Sequence, residues 1–394
     1  MISVENALKS CIENTDLGII EAINLQDING GFTAENIISG INLPGFKNSA
    51  MDGYALLYSD YKKGVRKFKV IGEIQAGDTN KYNLIEGNAY RIFTGAPIPL
   101  NCDLVVMQER VLSKENEIIL EEENSKPNQN IRNIGEQVKV DELALHKGSF
   151  LGSATIGYLA SIGQSTINTI STPSVAVIST GNELVEQKKE LKFGQIYESN
   201  SFGIVSQLKL WGVKNIVTSK LKDDYQDTLN RINEHLDTQD YLILTGGISV
   251  GDYDFVGKAL KELGVKEIFY KVKQKPGKPI FFGRKGRCHI FALPGNPAAA
   301  ISCLHIYVKT SLRKFRGAKD PTIEFVSLKA GNSFTKKGNR AQFLKAKLNN
   351  DSVTILEGQS SNMMQTFAVA NVLVYLDENN PEIKAGDLVK SLLI

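Results

Sequence analysis

The chain has 394 residues, 42% hydrophobic and 23% charged, which is long enough for two to four folding units and lacks the composition of a disordered chain. A formal net charge of +3 falls short of the concentrated basic footprint of a dedicated nucleic-acid binder, while leaving acidic small molecules open as ligands. No apolar run approaches the roughly 20 residues that span a bilayer, and the opening MISVENALKSCIENTD lacks the basic-then-apolar layout of a secretory signal, so a cytoplasmic protein with no membrane partner is expected.

In chain order, Val4, Ala7, Leu8, Cys11 and Ile12 recur at helical spacing, which predicts a helix over 1–26. From Gly45 to about Asp141 short alternating runs (KFKVIGEI, AYRIF, DLVVMQE, EIILEE) are split by Gly, Asn and Pro, the pattern of a small all-β unit. A second helix, LGSATIGYLASIG at 151–163, follows, so the β segment reads as an insertion into a helical domain. From Pro173 apolar strands (SVAVIST, NIVTS, YLILT, CHIFAL) alternate with amphipathic helices (FGIVSQLKLWG, DTLNRINEHL), the signature of βαβ units in a parallel sheet. The last helix follows Pro297 and runs towards Arg316. Beyond Gly317, TIEFVSLKA, AQFLKAKL, SVTILE, ANVLVYLDE and DLVKSLLI read as a small β barrel or sandwich.

Cys11, Cys102, Cys288 and Cys303 are scattered, with no C-x-x-C pair, and read as reduced, buried thiols. His289 and His305 lie beside two of them in apolar runs, which argues against a metal cluster.

Ligands of open parallel sheets bind outside the carboxyl ends of the strands, and the informative residues fall there. SVAVIS ends in Thr180, Gly181, Asn182 and Glu183; YLIL ends in TGGISVGDYDF, where Gly246 and Gly247 let backbone approach a phosphate and Ser249 can donate to it. Asp252 and Asp254 could hold a hydrated magnesium ion, and Asp223 and Asp224 follow a third strand. Each loop alone also reads as a tight turn, and each Asp as a helix cap; three such loops on consecutive strand ends favour a phosphate ligand with a metal. VKQKPGKPIFFG adds Lys271, Lys273, Lys275 and Lys278 in a stiff loop, suited to an oxyanion. In LPGNPAAA, Pro294 and Pro297 rigidify a turn into a further helix N-terminus.

The strings NSAMDGYA, TGAPIP, VVMQE, STGNEL, GQIYESN, TGGISVGDYD, KPGKP and LPGNP, in this order, resemble the molybdopterin molybdenumtransferase family, MoeA in bacteria and the E domain of gephyrin. GNRAQFLKA and GQSSNMM extend the resemblance over essentially the whole chain. It implies a multidomain α/β plus β protein: a linking domain at 1–44 and 141–170, a small β domain at 45–140, a parallel-sheet molybdopterin-binding domain at 171–317 and a C-terminal β barrel at 318–394. It further implies a homodimer in which Asp52 and Thr94 act in trans on a ligand held by Glu183, Asp223, Asp254 and the glycine loop. Magnesium is implied at Asp223 and Asp254; Arg132, Lys271, Lys275 and Ser361 are implied around molybdate, with Pro294 and Pro297 shaping the wall and Lys278 among the substrate-binding residues. The implied reaction joins molybdate to adenylylated molybdopterin and releases AMP, with a molybdopterin adenylyltransferase as a partner that supplies the substrate.

One residue departs from the pattern: IRNIGEQ ends in Gln137 where family members commonly have Asp, with Glu136 as a substitute carboxylate. Two other readings stand beside this one. A molybdopterin adenylyltransferase would need only the α/β unit, and NSAMDGYA counts against it. A non-catalytic scaffold would keep the pocket without the chemistry, and Gln137 keeps that reading open.

Overall fold

The structure, a computed structural model, describes residues 1–248 and 255–394. The chain divides into two compact units, one formed by 1–35, 147–152 and 166–394, the other by 36–146 and 153–165.

The smaller unit is built on a six-stranded sheet in the order Leu104–Met107, Gly53–Leu56, Asn88–Ile92, Lys67–Ile74, Glu117–Leu120, Val111–Lys114. Only the pairing of Lys67–Ile74 with Asn88–Ile92 is parallel. Alternation along these strands, with a register shift between Val70 and Gly72, sends Tyr54, Leu56, Phe68 and Ile118 into one apolar cluster and Ala55, Ile74, Ile92 and Val105 into another, so both faces carry core. The helix Ser153–Ser161, expected from its spacing, belongs to this unit.

In the larger unit, α1 (Val4–Glu13) is capped by Ser3, whose side chain accepts from the Asn6 N–H. The helix expected over 1–26 ends here: Asn14 Nδ2 donates back to Ser10 O, and Ile20–Asn24 instead pairs antiparallel with Thr166–Ile170. The β-branched Ile19, Ile20 and Ile23 favour that strand. The connection to that strand passes close to the core at Gly18, where a Cβ would lie 2.5 Å from the Phe315 ring.

The central sheet comprises β1 (Val175–Thr180), β2 (Ile216–Leu221), β3 (Tyr241–Thr245), β4 (Lys266–Tyr270), β5 (Phe281–Lys285) and β6 (Cys288–Leu293), in the order β2-β1-β3-β6-β5-β4. β2, β1, β3 and β6 are mutually parallel, as expected of βαβ units, but β5 runs antiparallel to both β6 and β4. The reason is local: only Gly286 and Arg287 separate β5 from β6, a hairpin connection far too short for a crossover. The crossovers carry α2 (Asn200–Leu210), α3 (Tyr225–Leu236) and α4 (Phe255–Glu262). After β6, α5 (Pro297–Cys303) continues through a π turn (Leu304–Val308) into α6 (Lys309–Phe315), almost wholly buried.

The C-terminal strands β7 (Phe325–Ala330), β8 (Ala341–Asn349), β9 (Ser352–Ile355), β10 (Val372–Leu376) and β11 (Leu388–Leu393) close on themselves, because β8 pairs with both β9 and β10. This is the expected barrel. Leu344, Ala346, Val353 and Val374 fill it, while Ala341, Phe343, Leu373 and Tyr375 point outward into the core shared with α1 and the central sheet. All four cysteines are free and buried. His305 is buried as well, edge-on to Trp211.

Candidate functional site

The chain runs from β1 to β2 on one side and then returns to β3 on the other, so the strand order reverses between β1 and β3. Loops leaving their carboxyl ends must diverge there. A cavity of about 760 Å³ occupies this point, bounded by Thr180, Glu183, Asp223, Gly246, Pro294 and Pro297 among others.

Each wall has a local cause. Gly246 has φ +89° and sits so close to β1 that a Cβ would lie 2.4 Å from Thr180 O; only glycine turns the chain this tightly against the strand. Asp223 and Asn182 tie the loops after β2 and β1 together: Asn182 N–H donates to Asp223 Oδ2 and Asp223 N–H to Asn182 Oδ1, each at 3.1 Å. Asp224 has the other role open to it, since its carboxylate accepts from Asp227 N–H and caps α3. Glu198 lines the cavity, but both carboxylate oxygens accept from Ser201, at 2.9 Å from its N–H and 2.5 Å from its hydroxyl. Asn200 opens α2 and bridges β3 to the turn after β6, its Nδ2 donating to Thr245 Oγ1 and Gly295 O, both at 2.8 Å. Pro297 begins α5 at the cavity, so the positive end of that helix's dipole lies at this wall.

Of the residues singled out from sequence, Glu183, Asp223, Gly246, Gly247, Pro294 and Pro297 come together around the cavity. Ser361 lies one hydrogen bond behind it: its Oγ accepts from Asn296 Nδ2 at 2.9 Å, and Asn296 lines the wall. Ser249, Asp252 and Asp254 lie outside the described residues. The lysine loop reaches the lining through Pro279. Lys275 and Lys278 are exposed, and Lys271 places its ammonium 4.5 Å from the Tyr270 ring centroid. Lys273, counted with them from sequence, pairs with Glu378 at 2.6 Å.

Asp52, Thr94 and Arg132 belong to the smaller unit. Asp52 Oδ1 accepts from both the N–H and the hydroxyl of Thr94, each at 2.8 Å. That main-chain N–H, then the hydroxyl, with Arg91 nearby, hold the Asp52 carboxyl below the ordinary aspartate range. Asp52 is therefore an exposed, fixed carboxylate. Arg132 is exposed on the two-residue strand Ile131–Arg132, opposite Asn48. Gln137 is exposed, with its N–H given to Leu43 O, and Glu136 Oε2 accepts from Asn133 N–H at 2.8 Å, closing its own turn.

Sequence reading passed over Asn200, Thr245, Asn296 and Asn362, all in the lining. Asn200 and Asn296 stand where a strand or turn gives way to a helix, so their placement after GQIYES and LPG carried the signal.

A strand-order switch with carboxylates, glycine turns and a helix start around one cavity defines a doubly wound α/β protein, an architecture whose ligand crevice lies at that switch. Three family models cover most of the chain: the MoeA N-terminal region (domains I and II) at 2–163, the probable molybdopterin binding domain at 176–314, and the MoeA C-terminal region (domain IV) at 327–394. A molybdopterin molybdenumtransferase of Haemophilus influenzae is 33% identical over 99% of this chain and 98% of its own length. One from Staphylococcus epidermidis is 30% identical over 100% and 95%. The crystal structure of the molybdopterin biosynthesis MoeA protein from Pyrococcus horikoshii superposes with a TM-score of 0.85, at 25% identity and 100% coverage of both chains. The chain belongs to the MoeA family. No helix among the described residues is long and apolar enough to cross a membrane.

Proposed function

We propose that this chain is a molybdopterin molybdenumtransferase, which transfers molybdate to adenylylated molybdopterin and releases AMP, completing the molybdenum cofactor. The observation that carries this reading is the cavity at the β1/β3 switch, where Glu183, Asp223, the Gly246–Gly247 turn and the start of α5 converge in a chain that matches its relatives end to end.

The glycine turn lets backbone approach the phosphate link, and the α5 start favours its negative charge. Molybdate is a tetrahedral dianion, so Lys271, Lys275, Lys278, Arg132 and the Ser361 hydroxyl are its partners in this reading. The donor set also suits magnesium: Glu183 and Asp223 are oxygen ligands on one cavity wall, and a small hard cation needs only one or two carboxylates beside phosphate oxygens and water. Asp223, with Asp254, would hold it, and bound there it would neutralise charge on the phosphates. Asn182 fixes the Asp223 carboxylate before any ligand arrives. Asp52, kept ionised by Thr94, gives the reaction a carboxylate whose charge does not vary near neutral pH. The reading includes a cytoplasmic homodimer, in which Asp52 and Thr94 of one copy serve ligand bound by the other, and a molybdopterin adenylyltransferase that hands over its product.

The test mixes purified protein with adenylylated molybdopterin, magnesium and molybdate, then follows AMP and reconstitution of a cofactor-free molybdenum enzyme. Molybdate-dependent AMP release with reconstitution is expected. Tight binding of the adenylylated substrate without turnover would instead establish a carrier or scaffold.

A further inference from the structure

We propose that Lys345 is a positioning residue, whose buried side chain clamps the turn at 359–363 and so sets where Ser361 and Asn362 meet the cavity. Its activity arm rests on the function proposed above; its structural arm does not.

Side chains of β8 alternate. Leu344 and Ala346 fill the barrel, whereas Ala341 and Phe343 point outward into the apolar core beside the central sheet, and position 345 continues that outward row. A lysine that is 2% exposed is out of place in such a row unless its ammonium is fully engaged. Here Nζ donates to Ser360 O at 2.9 Å and Met363 O at 3.1 Å, both main-chain carbonyls of the same turn. The main chain of residue 345 grips that turn a second time: its N–H donates to Gln359 Oε1 at 2.9 Å, and its carbonyl accepts from Gln359 Nε2 at 2.8 Å. Four hydrogen bonds therefore run from one barrel residue to Gln359, Ser360 and Met363 of the loop.

What that loop carries gives the clamp its meaning. Ser361 Oγ accepts from Asn296 Nδ2 at 2.9 Å and Ser361 O accepts from Ala299 N–H at 3.3 Å, so the turn is fastened to the first turn of α5. Asn362 is itself part of the cavity lining. Ser360, Asn362 and Met363 are exposed, which leaves this stretch little apolar anchorage of its own. Its position follows from polar ties, and Lys345 supplies the charged ones.

The test compares Lys345→Met and Lys345→Arg with the unaltered protein by amide hydrogen exchange and steady-state kinetics. Exchange at Met363, whose N–H is bonded within the turn, is expected to quicken roughly tenfold in K345M, the loss of a hydrogen bond to a charged group, and Ala299, whose N–H is shared between Ser361 O and Asn296 O, to quicken by less. The other amides of β8 should hold, and K345R should restore most of the protection. The KM for adenylylated molybdopterin should rise about tenfold with a smaller change in kcat. Should K345M fail to fold, Gln359→Ala cuts the same junction from the loop side and should quicken the same two amides. Unchanged exchange at Met363 and Ala299, or acceleration spread evenly over the barrel strands, would overturn the proposal. Exchange needs no substrate, so an unaltered protein that releases no AMP defeats the proposed reaction and leaves the clamp to be judged on exchange. Normal turnover with an unmoved KM in K345M defeats the clamp.

Discussion

Replacing Gly246 by alanine tests whether the turn after β3 is built by close approach or by glycine's conformational freedom alone. An L-residue at φ +89° costs roughly 1–2 kcal/mol. The new methyl would also lie 2.4 Å from Thr180 O, a backbone atom at the end of β1 that cannot rotate away, and relieving such a contact by distorting the turn adds about 1–3 kcal/mol. The total is about 2–5 kcal/mol. Gly264 supplies the control. Its φ is +70° and nothing lies within 4 Å of the Cβ position, so Gly264→Ala bears the dihedral cost alone, about 1 kcal/mol. Urea unfolding followed by far-UV circular dichroism, with calorimetric binding of adenylylated molybdopterin in parallel, reads both effects. G246A should lose the larger stability, or keep it by shifting the turn and bind at least tenfold more weakly. Equal stability loss in the two variants with unimpaired binding would refute the close-approach argument.

The neighbours Asp223 and Asp224 should separate cleanly: Asp223→Asn keeps an acceptor for Asn182 N–H and abolishes turnover without lowering the melting temperature, whereas Asp224→Ala loses the α3 cap, about 1 kcal/mol, and keeps activity. Thr94→Val removes the hydroxyl that helps depress the Asp52 carboxyl, so its titration, followed by NMR, should move up towards the ordinary aspartate range. In the native protein any stability from that depressed group is present above the ordinary range and lost as pH falls through the lowered value. Burial pushes the His305 imidazole down to about 3, so the unfolded chain binds the extra proton between its ordinary value and that figure, and stability falls as pH drops through this window by at most about 1.4 kcal/mol per pH unit. His305→Leu should flatten that part of the acid-unfolding curve. Gln137→Asp should preserve or raise molybdate-dependent AMP release if a carboxylate at that exposed position matters, and unchanged kinetics would make Gln137 irrelevant.

What was legible from sequence was whatever depends on local pattern. The alternation in KFKVIGEI and the apolar runs of SVAVIST, NIVTS and YLILT give the strands, and loops at the carboxyl ends of the last three give Glu183, Asp223, Gly246 and Gly247, which do share one cavity. The misread elements depend on contacts far along the chain. The helix over 1–26 gives way to a strand at Ile20–Asn24 whose partner, Thr166–Ile170, lies far along the chain, and Gly18 passes the Phe315 ring on the way, constraints invisible in the first 26 residues. Lys273 looked like one cation among four, yet its partner Glu378 lies a hundred residues further on. Asn296 and Ser361 are coupled by side-chain geometry that no spacing encodes.

The packing of α1 also bears on how the polypeptide is made. Val4, Ala7, Leu8 and Cys11 bury themselves against strands and helices drawn from residues 175–392, and Glu5 waits for the hydroxyl of Tyr375, 370 positions later. At about 5–20 residues per second of synthesis, that interval is roughly 20–75 s. Over that interval the apolar stripe of α1 gains its native partners only step by step, whereas the whole of 36–165 is made before any partner from residue 175 onward. The packing of α1 is therefore completed only after elements far along the chain have been made.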